Sequence, residues 1–408
     1  MRILMLTQWF DPEPTFKGLA FARELTRLGH EVQVLTGFPN YPGGKLYAGY
    51  RVRLWQRETV DGISILRVPL YPSHDTSAIK RIGNYASFAL SAAILGTLLT
   101  RPADVMYVYH PPATVGFAAV VISLLRRVPF VYDIQDLWPD TLAATGMLDN
   151  QSVLKLVGHG CRFIYGRAAN IVVLSPGFKR KLVERGVAAD RIEIIYNWCD
   201  EQNIQRERVD SGLAAEAELA GRFNIVFAGT MGKAQALDAV IDAAKLVALR
   251  QAEVQFVFIG GGIEVERLKG RVAAEGVGNC LFLPRRPVAE IGSILGLADV
   301  LLVHLRDDPL FRITIPSKTQ AYMAAGKPIL MAVQGDAAEL VKSADAGICC
   351  APESPEEIAE AVLAFYAMPQ DDRIRLGKNG QICYERELSL RAGVDRFEEL
   401  FHETACRK

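Results

Sequence analysis

Short apolar runs alternate with longer amphipathic stretches from the first residue onward. Residues 3–7 form a buried-strand run, and 8–17 a loop broken by Pro12 and Pro14. Residues 18–28 put Ala20, Phe21, Leu25 and Leu28 on one helical face, Gly29 ends it, and 31–36 return as a strand. Strand, loop, helix and strand at this spacing predict neighbouring parallel strands in one sheet. Further strands are predicted over 63–69, 105–109, 130–134, 169–174 and 192–196, with helices over 86–99 and 115–125. Residues 200–221 are polar and charged and predict a linker. The pattern then restarts with strands over 225–228, 254–259, 280–283, 300–304 and 328–333 and helices over 237–249, 287–297 and 318–325. The tail from 358 reads as helices broken near Met368 and Pro369.

The pattern predicts an α/β chain of two Rossmann-like, doubly wound domains, 1–198 and 199–375. Helices over 376–408 are expected to pack back toward the first domain. A chain of 408 residues also exceeds one ordinary core.

Composition narrows the function. Half the residues are hydrophobic and 23% are charged, which excludes a disordered chain. The formal net charge is zero, so no nucleic-acid partner is expected. Up to Tyr196, however, Lys and Arg outnumber Asp and Glu 22 to 15, and from Asn197 they are outnumbered 24 to 31. The basic half suits an anionic surface or acceptor. The seven cysteines are odd in number and form no Cys-x-x-Cys pair, which fits a reducing cytoplasm. The N-terminal run is too short for a signal peptide, and no run reaches the roughly 18 apolar residues of a membrane span. A cytoplasmic protein is expected. The 86–99 helix, at 14 residues, reads as a core helix or as an edge leaning on the inner membrane from the cytoplasmic side.

In open parallel sheets ligands bind at the carboxyl ends of strands. His110 directly follows the 105–109 strand and could act on a sugar hydroxyl or on charge at an anomeric carbon. Asp133 and Asp136 lie at the next strand end, beside Trp138 and Asp140. One of them, Asp136 ahead of Asp133, could serve as general base, or both could be helix caps. A diphosphate needs donors, which helix N-termini supply. Lys17 with Gly18, Gly229 with Thr230 and Lys233, Gly262, and Ser317 with Lys318 and Gln320 all sit at strand–loop–helix junctions. Arg285 or Arg286 could add a cation. A G-x-G-x-x-G fingerprint is missing after the first strand, which argues against a dinucleotide enzyme. No cluster supports a metal, and no cofactor is expected.

Several motifs together carry a family resemblance. These are Leu35-Thr36-Gly37-Phe38-Pro39-Asn40-Tyr41-Pro42-Gly43-Gly44, Asp136-Leu137-Trp138-Pro139, Phe227-Ala228-Gly229-Thr230-Met231-Gly232 and residues 315–328. In these the chain resembles the retaining family-4 glycosyltransferases of the GT-B fold, whose two domains face a central cleft. The likeness is nearest to the bacterial branch that builds O-antigen and capsule repeats and includes N-acetyl-L-fucosamine transferases. The resemblance implies a nucleotide diphosphate sugar, here a UDP-sugar, as donor, held mainly by the C-terminal domain. It implies a lipid-linked or saccharide acceptor held by the N-terminal one, and no metal. It also implies donor contacts at His110, Gly18 and Glu339. The chain departs from the family at Ile313 and Ala321, where many relatives carry two glutamates, and at Thr230 and Gln235, where many carry Arg and Lys. Lys233, Lys318 and Arg285 are the expected substitutes in the phosphate role. A GT-B sugar-nucleotide 2-epimerase and a non-catalytic scaffold subunit share the fold and remain alternatives at this point.

Overall fold

The computed structural model describes residues 1–73, 78–144, 147–148, 150–204, 219–287 and 290–406. The chain divides into two compact units, Met1–Tyr196 with Gly393–Lys408, and Asn197–Ala392.

The first unit is built on an eight-stranded sheet. Its strands are β1 (Arg2–Leu6), β2 (Glu31–Gly37), β3 (Gln56–Val60), β4 (Ile63–Val68), β5 (Val105–His110), β6 (Phe130–Ile134), β7 (Asn170–Val173) and β8 (Ile192–Ile194). Their order is β3-β4-β2-β1-β5-β6-β7-β8, and all pairs are parallel except β3–β4. β5, β6 and β7 are buried at every position, which is why they read as unbroken apolar runs rather than alternating ones. From β1 the chain builds outward on one side, and from β5 on the other. The switch point lies between them.

The second unit has six parallel strands. These are β9 (Phe223–Ala228), β10 (Val254–Ile259), β11 (Cys280–Leu283), β12 (Val300–His304), β13 (Ile329–Ala332) and β14 (Gly347–Cys349). Their order is β11-β10-β9-β12-β13-β14, so the switch point falls between β9 and β12. Phe227, Phe258, Val240 and Leu330 contribute to one continuous apolar core here.

The elements missed by the sequence pattern each have a local cause. β3 is Gln-Arg-Glu-Thr-Val on an exposed antiparallel edge, so it lacks the apolar run of its neighbours. The helix expected over 86–99 spans Ala78–Leu99 instead. The polar residues before Ala86 hid its first turns. Asn84 is buried, donating to Tyr71 O at 2.7 Å and accepting from Gln8 Nε2 at 2.5 Å. At this length the helix is long and apolar enough to cross a membrane, contrary to the sequence expectation. Of the helix expected over 287–297, Ile291–Gly296 is helical, and residues 288–289 lie outside the described residues. The linker expected over 200–221 lies largely outside the described residues.

The tail stays with the second unit as far as Ala392, including residues 376–392 that the sequence reading assigned to the return. Tyr384 holds it there, donating to Glu201 Oε1 at 2.8 Å, while the same oxygen accepts from Leu390 N–H at 2.7 Å. The return begins at Gly393, within the helix Leu390–Cys406. There Phe397 packs on Phe21 and Tyr107, with ring centroids 5.1 and 5.5 Å away.

Candidate functional site

The switch point of the second sheet opens into a cavity of about 480 Å³. Gly229 and Thr230 leave β9 on one side, and His304 ends β12 on the other. Ser317 and Lys318 begin the helix Ser317–Ala324, whose N-terminus has no side-chain cap, so its first N–H groups are available to a ligand. Ile291 and Leu295 give the cavity an apolar wall. Lys318 lies with its Nζ 3.3 Å from the centroid of the Phe227 ring, and burial lowers its pKa to about 7. A Cβ at Gly229 would come within 2.6 Å of Lys318 Cε, so the glycine makes room for that side chain. The cavity therefore combines a cation, a helix N-terminus and an apolar slot, which suits an anionic ligand with a flat apolar part.

Three positions where the sequence departs from its family pattern, Thr230, Gln235 and Ala321, line this same cavity. Gln235 is committed to the protein, its Oε1 accepting from Gly232 N–H at 2.9 Å. Gln320 is buried, its amide nitrogen placed to donate to Pro316 O at 2.7 Å, and so faces its own helix. His304 was not singled out from the sequence. Its Nδ1 lies 2.7 Å from Gln235 O, its Nε2 accepts from Glu353 N–H, and burial lowers its pKa, which fits a neutral ring joining two loops.

Other expected donor residues lie outside the cavity wall. Arg285 is exposed beyond β11, the edge strand, with β10 between it and β9. Glu339 is exposed and pairs with Lys342 one helical turn away. Lys233 is exposed on the turn after Gly232 and does not line the cavity. At Gly262, φ is +151° and a Cβ would overlap the Met231 carbonyl, so this glycine lets two loops pass each other.

At the switch point of the first sheet stands His110, the last residue of β5. It is buried, its ring meets those of Trp138 and Tyr132 edge-on at 5.8 Å, and its Nδ1 has no partner among the described residues. Burial lowers its pKa to about 3, so the imidazole is neutral at physiological pH. Asp136 is half-buried, and burial raises its pKa. It lies close enough to Tyr41 and Tyr85 to add, behind burial, to the upward shift of both hydroxyls. A carboxylate among tyrosines beside a strand end is suited to hold a sugar hydroxyl.

Asp133, by contrast, points into the core. Its Oδ2 takes Lys17 Nζ at 2.6 Å and Tyr107 O–H at 2.7 Å, and its Oδ1 takes Gln135 Nε2 at 2.6 Å. Neither Lys17 nor Asp133 reaches solvent, so the expected roles as phosphate cation and general base give way to an internal ion pair. The helix N-terminus at Gly18 is likewise taken, since Asp11 Oδ2 accepts from Leu19 N–H at 2.7 Å. Glu13, absent from the sequence reading, accepts from the N–H groups of Asn40 and Tyr41, both at 2.7 Å, and fastens the 38–44 loop. Among the described residues a trio of His30, Glu398 and His402 has ligand-type atoms within 4.8 Å of one another. His30 lies just before β2, at the N-terminal ends of the strands, whereas His110 stands at the C-terminal end of β5.

With this geometry in hand, comparison with known proteins decides the class. Residues 19–198 match the family described as Glycosyl transferase 4-like domain, and residues 214–382 match Glycosyl transferases group 1. The chain is a family-4 glycosyltransferase of the GT-B fold. This transferase is a nucleotide-sugar-dependent enzyme. It is 25% identical over 395 residues to the putative colanic acid biosynthesis glycosyl transferase WcaI of Escherichia coli (strain K12), covering 92% of this chain and 94% of that one. It is 26% identical over 270 residues to the probable glycosyltransferase WbjE of Pseudomonas aeruginosa, covering 65% of this chain and 67% of that one. Its fold matches that of Anabaena Alr3699/HepE in complex with UDP and glucose, with a TM-score of 0.69 at 16% identity over 98% and 99% of the two chains. It also matches sucrose-phosphate synthase from Thermosynechococcus elongatus, with a TM-score of 0.69 at 15% identity over the full length of both.

Proposed function

We propose that the transferase moves an N-acetylated sugar from a UDP-sugar, with retention, onto a lipid-diphosphate-linked glycan during assembly of a bacterial surface polysaccharide such as O-antigen or capsule. The work would take place at the cytoplasmic face of the inner membrane. The observation that carries the donor half is Lys318 at an uncapped helix N-terminus in the β9–β12 cavity. The relatives' names, colanic acid biosynthesis among them, support the pathway class.

The chemistry assigned to the donor site is charge stabilisation on the leaving diphosphate. Lys318 and the first N–H groups of its helix, with Ser317, would hold the phosphates, and the Ile291–Leu295 wall would hold the base. In the first unit Asp136 would orient the acceptor hydroxyl, and neutral His110 would hydrogen-bond the donor sugar. The acceptor oxygen bonds to the anomeric carbon on the face from which the diphosphate leaves. The carbon–diphosphate bond breaks, and the hydroxyl proton passes to the departing diphosphate. In this scheme the charge on the diphosphate is met by Lys318 and the helix rather than by a metal ion.

The test is incubation of the protein with UDP-sugars and a lipid-diphosphate glycan. A glycan longer by one sugar with the α or β configuration of the donor supports the reading. Conversion of UDP-GlcNAc to its 2-epimer without acceptor would replace it.

A further inference from the structure

We propose that one face of the first unit docks on an anionic lipid bilayer, through the helices Ala78–Leu99, Thr114–Arg126 and Gln151–Arg167. Eleven of the 22 large apolar side chains that are exposed among the described residues lie on these three helices. On the first helix the outer stripe is Ile82, Ala86, Leu90, Ile94 and Leu98, a strict four-residue repeat of exposed apolar positions. Its opposite stripe, with Asn84, Phe88 and Ala92, is buried in the unit, and Gly96 lies against Leu35 and Ile122. The helix is therefore anchored lengthwise on its own protein, a geometry for lying in the interface rather than crossing it. Phe117 of the second helix stacks on Phe163 of the third at 6.4 Å, so the exposed apolar surface continues across that helix boundary.

Charge selects the occupant. None of the three helices contains an Asp or Glu, whereas they carry Lys80, Arg81, Arg126, Lys155, Arg162 and Arg167. An exposed apolar stripe with cations and no acids fits anionic headgroups over an apolar layer. Lys155 and Arg162 also line a cavity of about 420 Å³ with Trp138, whose ring meets that of His110 at 5.8 Å. The face thus runs from the lipid surface toward Trp138 and the strand ends that carry His110 and Asp136. The proposal gives the lipid-linked acceptor of the proposed function a place to be met, and rests on that reading for its purpose.

The experiment is sedimentation of the full chain with vesicles of phosphatidylcholine alone or mixed with phosphatidylglycerol. It is run beside a triple variant Leu90→Glu, Leu98→Glu, Leu125→Glu, at positions exposed enough to leave folding intact. The wild type should pellet with the mixed vesicles. The variant should bind at least about tenfold less, as expected when three leucines no longer bury, while its thermal unfolding and UDP affinity stay unchanged. Absence of wild-type binding to the mixed vesicles, or equal binding by the variant, would overturn the proposal. So would a wild-type dimer in light scattering that the variant abolishes without loss of vesicle binding. UDP-sugar turnover without acceptor lipid, measured on both proteins, reports on the transferase reading separately.

Discussion

Lys17 Nζ lies 2.6 Å from Asp133 Oδ2, and both side chains are closed to solvent although 116 residues separate them in the chain. The pair ties the loop after β1 to the end of β6, and Lys17 also lies 4.9 Å from the Phe397 ring on the returning C-terminal helix. A buried ion pair is worth most as a constraint, because removing one partner strands the other charge.

Lys17→Met should therefore destabilise the protein by about 3–5 kcal/mol, read as a lower urea midpoint. Adding Asp133→Leu should restore part of that loss, leaving Tyr107 and Gln135 to be satisfied. A Lys17→Met protein as stable as wild type but without turnover would return Lys17 to the ligand site.

His110 is neutral across the working range, since burial lowers its pKa to about 3. Its part in transfer is then a hydrogen bond from a ring whose charge does not change. His110→Ala should lower kcat by about 10²-fold, the lower end for a group acting on a proton or a polar hydroxyl. The shape of the pH–rate profile between pH 5 and 9 should be unchanged. Loss of an inflection near pH 6–7 in the variant would show that His110 titrates.

The glycines after β10 separate space from sequence. At Gly262 a Cβ would overlap the Met231 carbonyl at a φ of +151°, whereas at Gly261 nothing lies within 4 Å. Gly262→Ala should cost about 1–3 kcal/mol and weaken UDP binding, because the Met231 backbone belongs to the loop that carries Gly229 and Thr230. Gly261→Ala should do neither. Calorimetric unfolding and UDP titration of the two variants make the comparison.

The fold is legible in the sequence because, apart from the β3 edge, both sheets are parallel and their inner strands are buried. β5, β9, β10 and β12 are buried along their whole length and so declare themselves as apolar runs. β3 stayed hidden because an antiparallel edge needs no such run, and the first turns of the Ala78–Leu99 helix because Asn84 turns inward. Strand-end logic placed His110 and Gly229 at strand ends and Lys318 at a helix start, where the structure has them, since those positions depend only on local strand-to-helix order. It misplaced Lys17, Asp133, Gly18 and Arg285, whose surroundings depend on partners distant in the chain or on strand order. Asp11 at the Gly18 helix and the edge position of β11 are tertiary facts with no local signature.

On the proposed reading the β9–β12 cavity holds the donor's diphosphate through Lys318. Burial lowers the Lys318 pKa to about 7, and a phosphate beside it would raise that value by favouring the charged form. Binding then takes up a proton above pH 7, so UDP affinity should fall as pH rises through 7 and level off once the ammonium titrates in the complex as well. The most direct measurement is isothermal titration of UDP into the wild type and Lys318→Ala across this pH range. Affinity that declines above pH 7 in the wild type, and that is at least about tenfold weaker below pH 7 and flat with pH in a folded Lys318→Ala, is the predicted result. Equal UDP affinity in the two proteins below pH 7 would contradict it.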